Sequence, residues 1–159
     1  MLQLMPLSIL RSIANNLHSS NAFTIMADEC TDISNHEQLV ICFRWVGTDL
    51  EVHEDFVGLY QIADISADTI VQALKDCLIW MNLQWSHCRG QCYDGAANVA
   101  GFRKGVAAQI LRMDARALYT HCYDNSLNLA MCDTIQQCKL TRDVMNVTHE
   151  ISKLLKVFT

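Results

Sequence analysis

The chain has almost no proline, no cluster of basic residues, no C-x-x-C pair and no long apolar run, and each shortage closes off a class of protein. A single proline, Pro6, in 159 residues of which 51% are apolar is not the composition of a disordered or low-complexity chain. It suits one domain with a substantial core. Lys and Arg number 12 against 17 Asp and Glu, a formal charge of -5. Without a run of Lys or Arg, the chain lacks the basic footprint of an autonomous DNA-binding module. An acidic metal site acting on DNA held by another domain remains compatible with this balance.

No stretch approaches the roughly 18 apolar residues that suggest a membrane span. The opening segment does not read as a targeting signal either: no basic residue precedes its apolar part, Pro6 interrupts it, and Arg11, Asn15 and Asn16 separate its apolar positions. The expectation is a soluble chain without a membrane partner. The eight cysteines are dispersed, several among apolar residues, which predicts buried thiols in a reducing, intracellular compartment and no disulfide framework. Cys88-x-x-x-Cys92 with His87, and the later His121-Cys122, could be assembled into a zinc site. Those ligands lack the compact spacing of structural zinc motifs, so core thiols are preferred.

What is present is an alternation of strand and helix signals. Leu7, Leu10, Ile13 and Leu17 give a first amphipathic helix that ends at Ser19-Ser20-Asn21. Strands are predicted over 23–27, 38–46 and 50–62, the last with an irregularity at Gly58 and the second carrying a solvated Arg44. Short connections make these an antiparallel meander. Ser66 then caps a helix whose apolar face is Ile70, Val71, Leu74, Cys77, Leu78 and Met81. Trp80 and Trp85 are assigned to core or helix-end packing. A fourth strand over 86–93, a helix over 96–113, a fifth strand over 117–123 and a helical stretch from Leu127 follow. A crossover helix between strands is the usual route to a parallel pair.

The chain is organised around Gly90-Gln91-Cys92-Tyr93-Asp94-Gly95-Ala96-Ala97-Asn98-Val99-Ala100-Gly101, paired at a distance with Met26-Ala27-Asp28-Glu29. Each puts an Asp where an apolar run ends, the position at which open α/β sheets form their crevices. If the first and fourth strands are neighbours, Asp28 and Asp94 emerge together as a metal-binding carboxylate pair. The alternative is that both are turn residues. Asn98 would orient a ligand by hydrogen bonding, or serve as a first-turn polar residue.

These segments, with Ala27-Asp28-Glu29-Cys30-Thr31-Asp32-Ile33-Ser34-Asn35 and His121-Cys122-Tyr123-Asp124-Asn125-Ser126-Leu127-Asn128-Leu129-Ala130, resemble the ribonuclease-H-like core of hAT-family transposases. The look is nearest to the transposon-derived proteins that carry MYM-type or TTF-type zinc fingers, and it extends over 10–141. The resemblance implies an α/β fold with a mixed five-stranded sheet of order 3-2-1-4-5 and flanking helices. It matches Asp28 to the first catalytic Asp and Asp94 to the second, implies Mg2+ or Mn2+, and implies DNA strand cleavage and transfer in the nucleus by a complete enzyme. The family's Glu follows a long helical insertion and has no match in this chain. The family's Cys-x-x-His pattern is met by Cys122, but Asn125 stands at the histidine position and cannot reproduce imidazole protonation. His121, Cys122 and Asn125 are therefore candidate supporting residues, with packed strand-end residues as the alternative for the first two.

The expected organisation is a truncated core over 1–139 and the start of a helical insertion, or a C-terminal helix, over 140–159. Val144, Val147, Ile151, Leu154, Leu155 and Phe158 form an apolar stripe at helical spacing, a surface for a protein partner or for self-association. The functional expectation is a transposase-core fragment unable to complete the chemistry alone; a domesticated protein-interaction scaffold is the alternative.

Overall fold

The structure is a computed structural model that describes residues 4–34, 36–95, 99, 101 and 104–157. The chain forms two compact units, Met1–Cys122 and Tyr123–Thr159. In the first, helix α1 (Leu4–Ser19) is followed by strands β1 (Phe23–Thr31), β2 (Glu37–Val46) and β3 (Val52–Gln61), then α2 (Ala67–Trp80). A single 3-10 turn (Trp85–His87) leads into β4 (Cys88–Tyr93), and α3 (Val106–Met113) connects it to β5 (Leu118–His121).

The five strands make one sheet in the order β3-β2-β1-β4-β5. The meander β1-β2-β3 is antiparallel, whereas β4 lies parallel to both β1 and β5. This is the ribonuclease-H-like mixed sheet that the sequence led us to expect. Its cause is local: short turns return the chain antiparallel, and each crossover through a helix brings it back parallel. The β2–β3 turn closes with Gly47 N–H donating to Glu51 O and Leu50 N–H to Gly47 O, both at 3.0 Å.

Alternation along the strands divides the sheet into two faces. Phe23, Ile25 and Ala27 of β1 and Leu39, Ile41, Phe43 and Trp45 of β2 point into one core. Ile13 and Leu17 of α1, Ile70, Leu74 and Leu78 of α2, and Val106 and Ile110 of α3 join them there. Each large apolar side chain fully buried contributes about 1.5–3 kcal/mol. His18 Nε2–H donates to Met81 O at 3.2 Å and so ties the end of α1 to the end of α2. Ser66 caps α2 as expected, its Oγ accepting from Thr69 N–H. The opposite face, with Thr24, Met26 and Asp28 on β1 and Gly90, Cys92 and Asp94 on β4, is half-buried or exposed.

Several features differ from those read in the sequence: β3 and β4 are trimmed to Val52–Gln61 and Cys88–Tyr93, and the helix expected from Leu127 starts at Tyr123. β1 runs on to Thr31, because Glu29, Cys30 and Thr31 keep pairing with Leu39, Gln38 and Glu37 of β2. The irregularity expected at Gly58 falls one residue earlier: the register passes from Ile41↔Gly58 to Cys42↔Phe56, leaving Val57 as the extra residue. The helix expected from residue 96 is not continuous, since Gly101 and Lys104 are non-helical and α3 starts after Gly105. Residues 96–98 lie outside the described residues, Asn98 with them. β5 is only four residues long, and helix resumes at Tyr123.

The second unit is a helix pair, α4 (Tyr123–Gln137) packed on α5 (Lys139–Val157) across Cys138. Position 139/140 thus falls at the start of α5. Val144, Val147, Ile151 and Leu154 are each more than half exposed; Phe158 lies outside the described residues. Among the described residues, no helix is long and apolar enough to cross a membrane.

Gly105 is required by a close backbone approach, because a Cβ there would lie 2.5 Å from Gly101 N and 2.6 Å from Val99 O. Backbone atoms cannot move aside as a flexible side chain can. Gly105→Ala is expected to destabilise the first unit by about 2 kcal/mol, read as a lower urea midpoint at unchanged slope. An unchanged midpoint would remove this account of the turn.

Candidate functional site

The site is built where the β1–β4 ladder stops. Thr24↔Gly90, Ile25↔Gln91 and Met26↔Cys92 are in parallel register. Asp28 and Asp94 each lie two residues beyond the last of these pairs, and alternation therefore puts them on the same face of neighbouring strands. Both border a small crevice on the core side of the sheet, lined also by Ala27, Glu29, Leu39, Ile70, Tyr93 and Val99 and about 10 Å3 in volume, on the order of a single water. Asp28 is not at the end of its strand, as the sequence suggested. It sits inside β1, at the point where the β4 side has opened while the β2 side continues.

Asp28 is exposed, and its Oδ1 accepts from Glu29 N–H at 3.1 Å. Asp94 is half-buried, and its main-chain carbonyl accepts from the Tyr119 hydroxyl at 3.0 Å. That bond fixes the end of β4 against β5. A Cβ at position 95 would come within 2.9 Å of His121 Cε1 and Nε2, so the imidazole of His121 lies against the turn that follows Asp94. Cys122 N–H donates to Tyr93 O at 2.8 Å. Alternation puts the Cys122 thiol on the face of Cys92, whose own pKa is raised by burial and by Cys122.

The structure therefore places Asp28, Asp94, His121 and Cys122 where the β1–β4 and β4–β5 ladders end, with Asp28 still inside β1. Asn125 belongs to the second unit, on the first turn of α4. Two crevice residues were missed in the sequence, Glu29 and Tyr93. Tyr93 is 2% exposed, and its hydroxyl has no hydrogen-bond partner. Burial pushes that phenol well above its usual range, so it stays a donor at any physiological pH. The available signal was its place beside Asp94 at a strand end, where an aromatic is usually read as core.

Two carboxylates on one face suit a hard divalent cation such as Mg2+ or Mn2+, which prefers oxygen ligands. Among the described residues no group of three or more His, Cys, Asp or Glu side chains is placed to hold a metal ion. The alternative zinc set has no geometry behind it: Cys88 is fully buried, its thiol donates to Gly90 O at 3.2 Å, and burial pushes its pKa up to about 11. Core thiols describe Cys77 and Cys88 only; Cys30, Cys132 and Cys138 are exposed. Trp80 corrects the sequence in the same direction, being 56% exposed at the end of α2.

Residues 1–105 match the family described as DUF4371: ZMYM1/FAM200, RNase-like domain. The chain belongs to that family. The human and mouse proteins named 52 kDa repressor of the inhibitor of the protein kinase are each 27% identical to it over 139 residues, 85% of this chain. The chain spans 18% of the length of these relatives. Among solved structures it is similar to Ciona intestinalis Endonuclease V in complex with an inosine-containing DNA. That likeness has a TM-score of 0.42 and 12% identity, and covers 72% of this chain and 55% of the other. It is too slight to carry residue roles across.

The burial of the thiols gives a direct check. Cys30, Cys132 and Cys138 are expected to react at once with an aromatic disulfide reagent, Cys138 fastest because hydrogen bonds from Thr141 lower its pKa. Cys77 and Cys88 should react only as fast as the first unit unfolds. Mass-mapped labelling of the native chain measures this, and prompt modification of Cys88 would contradict the packing of β4.

Proposed function

We propose that the chain is the first part of a hAT-type transposase catalytic core, of the transposon-derived group that carries MYM-type or TTF-type zinc fingers. Asp28 and Asp94 are its first two catalytic carboxylates. The observation that supports this is the parallel β1–β4 pairing, whose register puts both Asp residues on one face of neighbouring strands where their ladder stops. A divalent cation bound there would supply charge stabilisation to the attacking and leaving oxygens of an in-line phosphoryl displacement. The chain's own part is to hold that cation through Asp28 and Asp94. The Tyr119 hydroxyl steadies the Asp94 main chain, and His121 braces the turn beyond it. Asn98, Cys122 and Asn125 are assigned supporting hydrogen-bonding or packing roles in the complete protein.

In this reading α5, from Lys139, is the beginning of an inserted helical region, and the third carboxylate comes from sequence beyond it. DNA would be captured in the nucleus by other parts of the complete protein, because a net charge of -5 opposes unaided binding. The chain by itself would not transfer strands. A second reading, a domesticated scaffold without catalysis, draws support from the name of the human and mouse relatives, which describes a repressor. A coding sequence that supplies a downstream Glu favours the first reading.

Two measurements test this. Titrating Mg2+ or Mn2+ while recording backbone resonances should give local, saturable shifts at β1 and β4 with a Kd of about a millimolar. Asp28→Asn and Asp94→Asn should each abolish them, and shifts that persist in both variants would sink the assignment. In the second, the 159-residue chain is incubated with labelled duplex carrying matching terminal inverted repeats. No defined end cleavage is expected until the chain is extended through the downstream Glu. Cleavage by the short chain, lost in either Asp variant, would show that a residue already present completes the site.

A further inference from the structure

The two edges of the sheet are built differently. β5 has four residues and offers little to pair with, whereas β3 has ten and at the usual rise is about 33 Å long. β3 ends the strand order, so its outer edge has no strand neighbour among the described residues. Such edges are normally guarded by charge, proline or a bulge. The first half of β3 is guarded in this way: His53, Glu54 and Asp55 follow one another, and the extra residue Val57 bends the strand. The Trp45 indole N–H donates to Asp55 at 2.7 Å and its ring stacks on His53, so this half is also held to the sheet. Beyond that bulge, residues 58–61, Gly-Leu-Tyr-Gln, contain no charge and no proline.

A groove runs along that unguarded half. One cavity of about 470 Å3 lies between residues 57–60 of β3, Leu10 of α1, and Asp76 and Trp80 of α2. A second of about 480 Å3 continues past Tyr60 along Asp68, Thr69 and Gln72 of α2. Tyr60 and Asp76 line both, so the two are one trough between an open strand edge and a helix. Each is within the size range of ligand sites. Gly58 sits in its wall. Its φ is ordinary, and a Cβ there would meet nothing closer than Tyr60 Cε2 at 3.7 Å, so nothing in the fold requires a glycine. A strand glycine marks a bulge or a place where another backbone can come close, and this one adjoins the bulge at Val57. The walls carry two carboxylates, Asp68 and Asp76, and no Lys, Arg or His. Trp80 and Leu59, both more than half exposed, supply apolar surface at one end.

We infer that β3 and α2 form a docking groove for an extended peptide segment of alternating apolar and basic residues, which adds to the sheet as a sixth strand. Main-chain hydrogen bonds to the β3 edge hold the segment, and alternate side chains enter the trough. Basic residues enter the trough, their charges meeting Asp68 and Asp76 and their stems Leu10 and Trp80; the apolar residues of the other face lie over the exposed Phe56 and Leu59. A second copy of this chain is a poorer occupant, because pairing β3 with β3 would bring Glu54, Asp55 and the acid-lined walls of both copies together. The groove is separated from Asp28 by β2, and the inference is independent of the carboxylate pair.

The test uses the whole chain and a fluorescent decapeptide alternating valine and lysine, acetylated and amidated. Anisotropy should show saturable binding, and amide exchange should slow at residues 56–61. Replacing the peptide's lysines by glutamate should weaken binding at least about tenfold through like charge, and so should N-methylation of its alternate amides, which removes donors to the edge. Asp76→Lys and Trp80→Ala, both at exposed positions, should each weaken it about tenfold with the amide spectrum otherwise unchanged. No saturable binding, or equal binding of the N-methylated peptide, would overturn the inference. Protection of residues 56–61 that rises with protein concentration in the absence of peptide would also overturn it, assigning the edge to a second copy.

Discussion

The parallel pairing of β4 against β1 is the constraint on which the rest of this unit depends. A parallel pair cannot be closed by a tight turn, so the chain must leave the sheet after β3, cross through α2 and re-enter beside β1. The crossover is held by burial, with Ile70, Leu74 and Leu78 of α2 packed in the same core as Phe23 and Ile25 of β1. β4 is then locked from its other side. Gln91, fully buried, donates from Nε2 to Ala107 O at 3.1 Å and to Ala117 O at 2.8 Å, joining the strand to α3 and to the segment entering β5. A buried amide is costly unless it is bonded, so these two bonds help fix where β4 lies as well as holding it there.

The two faces of the sheet have different work. The buried face is apolar and crowded, and it contributes most of the stability through the area it removes from water. The other face keeps Asp28, Asp94, Cys92 and Arg44 near solvent. The Arg44–Glu54 ion pair on that face is half exposed and adds little stability, as exposed pairs generally do. Water reaches the carboxylates there, a condition the core face could not provide. Tyr93 marks the boundary: it belongs to the buried face and lines a core-side crevice that Asp28 and Asp94 border.

The relation to longer proteins fits these surfaces. The chain spans 18% of the length of the relatives it matches, and both the apolar residues of α5 and the margin of β3 are uncovered within the units described. A ten-residue edge with an acid-lined trough beside it is a more specific surface than an amphipathic helix. It combines directional main-chain hydrogen bonding with a charge preference, whereas the α5 stripe offers apolar area alone.

The strands of the meander and the capped helix α2 were legible in the sequence, because alternation and the Ser66 cap are written in neighbouring residues, whereas the order of the sheet came from the family resemblance. Asp28 and Asp94 were legible as residues of one type at two apolar run ends. Their shared face was not, since it depends on register, and a slip of one residue in β4 would have turned Asp94 to the other side. The same limit hid the extension of β1 to Thr31, which exists only because β2 continues to pair with it. It also hid the break before α3, which comes from Gly105 passing close to Val99 and Gly101. Apolar residues at helical spacing were assigned inward, and Trp80 was not, because helix periodicity says which residues share a face but the neighbouring elements decide how much of that face is covered. The sequence determined which segments form strands and helices and which residues could carry chemistry. Tertiary structure decided which of them meet, because register, crossover and coverage are set by contacts between segments far apart in the chain.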